Sequence, residues 1–359
     1  MSHSSHLVVS ITAHGFGHVA QTAPVLNALH QQMPELKITV RTNVALAHLK
    51  TRIQAPFTYL AGDKGIGMLM SSALDVRVDE SRAAYADFHA KWALHVATEA
   101  QLLDEIKADF VLSNVGYLPL AGAQQLGIPC VAMCSLNWAD IYRCYCGAGE
   151  IATQIQACYA DANAFMRITP AMTMADMPNA VSVPPIAAIG VNRRDELNRY
   201  LKLAQDEKLV LISLGGINSR LPIECWPRIA GVRWLVQQSW QVMHHDAIAI
   251  ERLPLGFNDI FSSCDALICK PGYGSFVEAA CNGIPVLYVN RPDWPESPFL
   301  IDWLVQHGQC REISRGALER GEVASLLEEM WGAFQVKPAI VANGEMQIVD
   351  WLSKMAGLN

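Results

Sequence analysis

The sequence predicts two doubly wound α/β domains facing each other across a cleft. Three features lead there. A strand, a glycine loop and a helix open the chain between Leu7 and Met33; a strand running into glycines restarts the same order at Lys208; and a helix, Gly-Ile-Pro, strand rhythm occurs twice, at Gly127 to Pro129 and Gly283 to Pro285. A chain of 359 residues is long for one domain and of ordinary size for two.

Each element follows in order. Leu7 to Ile11 is an apolar run suited to a buried strand. After the glycine loop, Val19, Ala23, Leu26, Leu29 and Met33 recur at helical spacing, with Pro24 near the helix start, where a missing N–H costs little. Lys37 to Arg41 is the second strand. A long helical pattern spans Ser81 to Lys107, Asp109 to Ser113 is a strand, Leu118 to Leu126 is a helix, and Ile128 to Met133 is a strand. Prolines without a sustained period mark Met172 to Val191 as a linker. The second series has strands at Lys208 to Leu214, Trp234 to Gln238, Ala266 to Cys269 and Gly283 to Val289, with a helix at Ser275 to Asn282. The expected domains are therefore 1–175 and 190–339, with a C-terminal helix in 340–359, at Met346 to Met355, crossing back to the first.

Apolar residues make up 51 % of the chain and charged residues 17 %, enough for the cores of sheets covered on both faces. The net charge of −7, with no basic cluster beyond Arg193-Arg194, argues against a nucleic-acid partner. No apolar run reaches the ~18 residues of a membrane span, and Met1 to His6 lacks the layout of a signal peptide. The expectation is a cytoplasmic protein with ten reduced cysteines. Cys144-Tyr-Cys146 and His244-His245 have no complement at metal-site spacing, so no metal site is expected.

Two blocks carry chemistry. In Cys264 to Glu278 a strand ends at Lys270-Pro271, and Gly272, Tyr273 and Gly274 form a loop into a helix starting at Ser275. Backbone N–H groups at such a helix start suit a diphosphate, and glycines admit it close to the backbone. Ser275 and Glu278 also have capping-box spacing, which would make Glu278 a structural residue. Gly215-Gly216 offers further N–H groups after its strand. In the first loop, His14 and His18 flank Gly15, Phe16 and Gly17. Gly15, Gly17 and Ala20 read as a partial dinucleotide fingerprint, and Arg41 is placed where an NADP phosphate would need it. The histidines equally suit proton abstraction at a cleft, or simple bonds to loop backbone.

These blocks, with Asp293-Trp-Pro-Glu-Ser-Pro-Phe-Leu300, resemble GT-B glycosyltransferases. The likeness is to the peptidoglycan N-acetylglucosaminyltransferase family and to the glycosyltransferase-like N-terminal half of plant arabinokinases. The latter share a His-Gly-Phe-Gly-His loop, a Lys/Arg-Pro-Gly-Tyr-Gly loop and an acidic segment ending Glu-x-Pro-Phe-Leu. The resemblance implies that Glu278 holds ribose hydroxyls, that the glycine loop cradles the diphosphate, and that Asp293 and Glu296 reach the donor sugar. It implies a base in the first loop, with His18 aligning better than His14. Where related strands end in Asp, this one ends in Asn114, which would weaken an assisted base. The function implied is metal-independent, inverting transfer from a nucleoside diphosphate sugar such as a UDP-sugar to an unidentified acceptor, with no cofactor. Nucleotide-sugar hydrolysis, sugar-nucleotide binding without catalysis, and NADP-dependent oxidoreduction are the alternatives. Acceptor loops are expected at Gly62 to Asp79 and Asn137 to Tyr142, and the base-binding segment near Leu253 to Phe257.

Overall fold

The computed structural model describes residues 5–62, 65–215, 220–333, 337 and 340–355. The first sheet contains β1 (His6–Ile11), β2 (Lys37–Arg41), β3 (Thr58–Leu60), β4 (Phe110–Asn114), β5 (Cys130–Cys134), β6 (Ala164–Ile168) and β7 (Ala180–Val183). Its order is β3-β2-β1-β4-β5-β6-β7, parallel throughout. The second contains β8 (Lys208–Ser213), β9 (Val232–Val236), β10 (Ala247–Ala249), β11 (Ala266–Cys269), β12 (Val286–Val289) and β13 (Cys310–Ile313), in the parallel order β10-β9-β8-β11-β12-β13. Central strands such as β1, β11 and β12 are buried at every position, which is why they read as unbroken apolar runs.

Strand order reverses between β1 and β4 in one sheet and between β8 and β11 in the other. Such reversals open crevices at the carboxyl ends of the strands, where open α/β sheets take ligands. The loops after β1, β4, β8 and β11 carry Thr12 to Phe16, Val115-Gly116, Leu214-Gly215 and Lys270 to Gly272. Both informative sequence blocks therefore stand at switch points.

Helices cover both sheets. In the first domain they are α1 (Gly17–Gln32), α2 (Leu46–Arg52), α3 (Val78–Ala90), α4 (Trp92–Glu105), α5 (Tyr117–Leu126), α6 (Trp138–Cys146) and α7 (Glu150–Ala160). Beyond β7 come α8 (Arg194–Leu201), α9 (Phe257–Ser262), α10 (Tyr273–Cys281), α11 (Ser297–His307), α12 (Arg315–Glu319), α13 (Ala324–Gly332) and α14 (Gly344–Met355).

The repeated Gly-Ile-Pro has one structural cause in both halves. Gly127 and Gly283 take φ of +68° and +69°, ending α5 and α10 in the left-handed conformation that glycine adopts without strain. The next N–H closes a Schellman bond, Ile128 to the Ala123 carbonyl at 2.9 Å and Ile284 to the Ala279 carbonyl at 2.8 Å. The proline carbonyls then accept from the neighbouring strands, Pro129 from Val111 and Pro285 from Leu267.

Three expectations change. The long helical pattern is two helices, α3 and α4, meeting at Lys91; the turn lets His89 and Trp92 stack at 5.3 Å between ring centroids. The expected linker contains β7, an edge strand pairing with β6 before Pro184-Pro185 ends it. The helix expected from Ser275 begins two residues earlier, at Tyr273.

The C-terminal α14 returns to the first domain. The Gly344 N–H bonds the Pro185 carbonyl at 3.1 Å, and Ser353 Oγ lies 3.7 Å from Met33 Sδ just beyond α1. Helices α1 and α10 meet so closely that a Cβ on Gly274 would stand 2.9 Å from Ala20 Cβ. From α10 the buried Tyr273 hydroxyl donates to the Thr169 carbonyl at 3.0 Å and accepts from the Ile186 N–H at 2.9 Å. One hydroxyl thus ties α10 to the end of the first sheet. Tyr273→Phe should leave that N–H and carbonyl unpaired and lower stability by about 1–3 kcal/mol, measured by urea unfolding.

Candidate active site

A cleft of about 730 Å³ lies between the two sheets. His14 to His18, Ala20 and Gln21 line one wall, with His48, Arg52, Ser135 and Trp138. Gly215, Lys270 to Ser275, Glu278, Arg291, Trp294 and Glu296 line the other. Of the expected site residues, Asn114 lies behind the first wall and Asp293 is exposed outside the cleft lining. The Asp293 carbonyl accepts from the Tyr145 hydroxyl at 2.5 Å. Gly216 lies outside the described residues.

His18 is the second residue of α1 and is buried. Its Nδ1 is 2.9 Å from Asn114 Oδ1. Asn114 Nδ2 lies within 3.2 Å of the His18 carbonyl and within 3.0 Å of Gln21 Oε1 and Thr22 Oγ1. A backbone carbonyl only accepts, so the amide nitrogen faces it and the amide oxygen faces the ring. Nδ1 of a neutral His18 must then carry the proton, leaving the Nε2 lone pair free. Burial pulls the imidazole down to about 4, against the raising effect of the Asn114 bond, so the ring is neutral near pH 7. Asn114 therefore does for the imidazole what the expected carboxylate would do in orienting it, and contributes no charge.

The polar chain continues across the cleft. Gln21 Nε2 donates to Ser135 Oγ at 2.8 Å, and Ser135 donates to Glu296 Oε1 at 2.6 Å. Trp294 Nε1 donates to Glu296 Oε2 at 3.2 Å. Burial raises the Glu296 carboxyl, while the Ser135 and Trp294 bonds and the nearby Lys270 and Arg291 cations lower it.

His14 is held differently. A Cβ on Gly67 would collide with the His14 ring and with Trp138, and the His14 ring itself packs at 4.7 Å from Trp138. Its Nδ1 is buried without a hydrogen-bond partner. Burial first, then repulsion by His18, pulls its proton affinity down to about 4. Cys134 Sγ lies 3.7 Å from His18 Nδ1, but burial pushes that thiol up to about 12, so it is not a thiolate nucleophile.

On the donor wall, α10 starts from Gly272, so Ser275 is the third helical residue and cannot be its N-cap. The capping-box alternative for Glu278 is thereby replaced. Arg52, closing α2 on the opposite domain, grips Glu278 through both nitrogens at 2.5 and 3.2 Å, and its guanidinium lies 4.8 Å above the Phe257 ring. Lys270 is enclosed between the glycine loops, its Nζ 3.8 Å from where a Gly272 Cβ would be and 4.0 Å from where a Gly215 Cβ would be. Burial, then the Arg291 charge, lowers its ammonium to about 8, partly offset by Glu296.

Other expected sites resolve as follows. Asn137 to Tyr142 is not an open loop: Asn137 caps α6, accepting from the Asp140 N–H at 2.8 Å, and only Trp138 of this run lines the cleft. From Gly62 to Asp79, Met70 lines the cleft and residues 63–64 lie outside the described residues. Leu255, Gly256 and Phe257 line it too. Arg41 is buried and bonded to Glu99 and to the Gly62 carbonyl, so it is not available to an NADP phosphate.

No protein-family model matches the chain. The calicheamicin glycosyltransferase CalG4 superimposes with a TM-score of 0.63 at 12 % identity, covering 99 % of this chain and 99 % of that one. The fold is GT-B. A UDP-GlcNAc 2-epimerase from Neisseria meningitidis, solved with UDP-GlcNAc, shares the fold, with a TM-score of 0.59 at 13 % identity over 97 % of this chain and 100 % of its own. In sequence the chain is similar to an L-arabinokinase of Arabidopsis thaliana, 26 % identical over 346 residues. The match covers 93 % of this chain but only 33 % of that relative, so the chain spans a third of its length.

Within this GT-B cleft, sequence reasoning missed Arg52, Gln21, Ser135 and Arg291. None lies in a recognisable motif; each becomes meaningful only through a partner far along the chain.

Two outcomes follow. Because His14 and His18 hold protons less tightly when folded than the ordinary 6.5, the unfolded state takes them up first. Stability should be highest above pH 6.5 and fall between there and about 4, by up to about 1.4 kcal/mol per pH unit for each histidine, seen by urea unfolding across pH. Asn114→Asp should destabilise by about 3–5 kcal/mol, since it buries a charge and leaves three acceptors without their donor; the thermal midpoint at pH 7 reads this.

Proposed function

We propose that the protein transfers a sugar from a nucleoside diphosphate sugar to an acceptor hydroxyl, with inversion and without a divalent ion. The observation that carries this reading is the pairing, across one cleft, of an oriented neutral His18 with a partly buried Lys270 at a glycine-framed helix start. His18 Nε2 takes the acceptor hydroxyl proton as the oxygen attacks the anomeric carbon. The bond from that carbon to the diphosphate oxygen breaks with its electron pair. The negative charge that develops there meets the Lys270 ammonium and the first N–H groups of α10. A bound diphosphate also brings negative charge into the His18 wall, which strengthens the imidazole as a base.

Glu278 fits the ribose role: its carboxylate has lone pairs beyond those taken by Arg52, and Arg52 fixes its position. Glu296, rather than Asp293, is the carboxylate placed to meet the donor sugar. Absence of an Asp-x-Asp tripeptide from the sequence agrees with a cationic side chain in place of a metal. The UDP-GlcNAc complex of the epimerase with the same fold makes UDP-sugars the first donors to test.

The test is incubation with UDP-, GDP- and dTDP-sugars, with and without candidate acceptors, followed by product analysis. Acceptor-dependent release of nucleoside diphosphate is expected. Steady release of free sugar without acceptor would instead mean hydrolysis, a new sugar-nucleotide epimer would mean epimerisation, and binding without turnover would remove catalysis. His18→Ala should keep donor affinity within about threefold and lower kcat by about 10²–10⁴-fold; unchanged kcat would remove His18 as the base.

A further inference from the structure

Arg291 is a buried cation that forms no ion pair among the described residues. Arg291 follows β12 and is 5 % exposed. Its guanidinium lies 4.0 Å above the Trp294 ring, and Nη2 is 3.5 Å from Met70 Sδ. Nε is buried without a hydrogen-bond partner. Of the nearby acids, Glu296 bonds Ser135 and Trp294, Asp75 bonds Arg315 at 3.0 Å and Ser72 at 2.5 Å, and Asp293 stands exposed to solvent, which screens its charge. Among the described residues, no carboxylate forms an ion pair with Arg291. A buried guanidinium without an anion is unfavourable by several kcal/mol, unless a ligand supplies the charge.

Arg291 lines the same cleft as Lys270, but the two cations address different places. Lys270 sits between the glycine loops, where the diphosphate is read. Arg291 sits with Trp294 and Met70 beside Glu296, the carboxylate that the donor reading assigns to the sugar. A planar fork of donors fits a carboxylate in two-point contact, whereas the Trp294 ring beneath it fixes its plane.

We propose that Arg291 reads an anionic group on the transferred sugar, making the donor a nucleoside diphosphate uronic acid. This rests on the donor-binding reading above and goes beyond it in naming the sugar class. Calorimetric titration with UDP, UDP-glucose and UDP-glucuronate, and with GDP, GDP-mannose and GDP-mannuronate, tests it on the wild type and on Arg291→Gln. The uronate of the accepted nucleotide should bind about 10- to 100-fold tighter than its neutral counterpart. Arg291→Gln should erase that preference, while Arg291→Met, which removes the unpaired charge, should raise the thermal midpoint of the ligand-free protein. Equal affinity of the wild type for uronate and neutral sugar overturns the proposal. So does an Arg291→Gln loss that is the same for the free diphosphate as for the uronate, which would assign Arg291 to the diphosphate. If no nucleotide binds at all, the donor reading fails as well, a result distinct from binding without preference.

Discussion

The structure depends on one buried hydrogen-bonded chain, His18–Asn114–Gln21–Ser135–Glu296–Trp294, which runs from the first domain into the second. Burying polar groups is tolerable only if each finds its partner, and here the chain crosses between domains at Ser135–Glu296. Asn114 is the hub because an amide both donates and accepts: its oxygen accepts from the His18 Nδ1–H, and its two N–H hydrogens are shared among three acceptors. A carboxylate in that place accepts only. The departure from Asp at the end of β4 is therefore matched by a local network built for an amide, with Gln21 and Thr22 positioned one helical turn beyond His18.

Charge in the cleft is arranged against the overall balance. The chain carries −7, yet the donor wall encloses Lys270 and Arg291 against a single carboxylate, Glu296, while Glu278 is already paired with Arg52. The opposite wall presents His14, His18 and His48, each drawn down to about 4 and so neutral at pH 7, with burial the leading cause in every case. One side of the cleft awaits anions and the other supplies uncharged nitrogen bases. Screening by solvent is weak in such an enclosed space, so this asymmetry acts at close to full strength on any ligand.

The fold was readable because it rests on local rules. Apolar runs gave the strands, and each Gly-Ile-Pro gave a helix end and the first residues of the next strand, for the Schellman reason seen at Gly127 and Gly283. The glycine loops and the first-loop histidines were equally visible, since both depend on neighbours in sequence. The site's other half was not. Glu278 has capping-box spacing from Ser275, and only the start of α10 at Tyr273 and the arrival of Arg52 from 226 residues away show that its partner is across the cleft. Arg291 carries no motif; its significance is that it is buried without an ion-pair partner among the described residues, which no sequence pattern encodes. Asp293 and Glu296 looked equivalent as acids three residues apart, yet the turn into α11 buries one and exposes the other.

The contacts across the cleft are also unequal in strength, and this ranks what holds the domains together. Arg315–Asp75 spans them with both side chains about half exposed, so water competes and the pair contributes about 0–1 kcal/mol. Arg52–Glu278 is bidentate with both side chains under a tenth exposed, and removing either partner leaves a buried charge at a cost of about 3–5 kcal/mol. Opening the cleft is different from deleting a partner, because water can then solvate both ions. The pair therefore favours closure only by the surplus of its attraction over that hydration. A nucleotide whose ribose bonds to Glu278 adds to the surplus without displacing Arg52, since the carboxylate retains free lone pairs. Ser135–Glu296 lies deeper and links to the His18 network, so the contact between the domains and the orientation of the imidazole belong to one hydrogen-bonded chain.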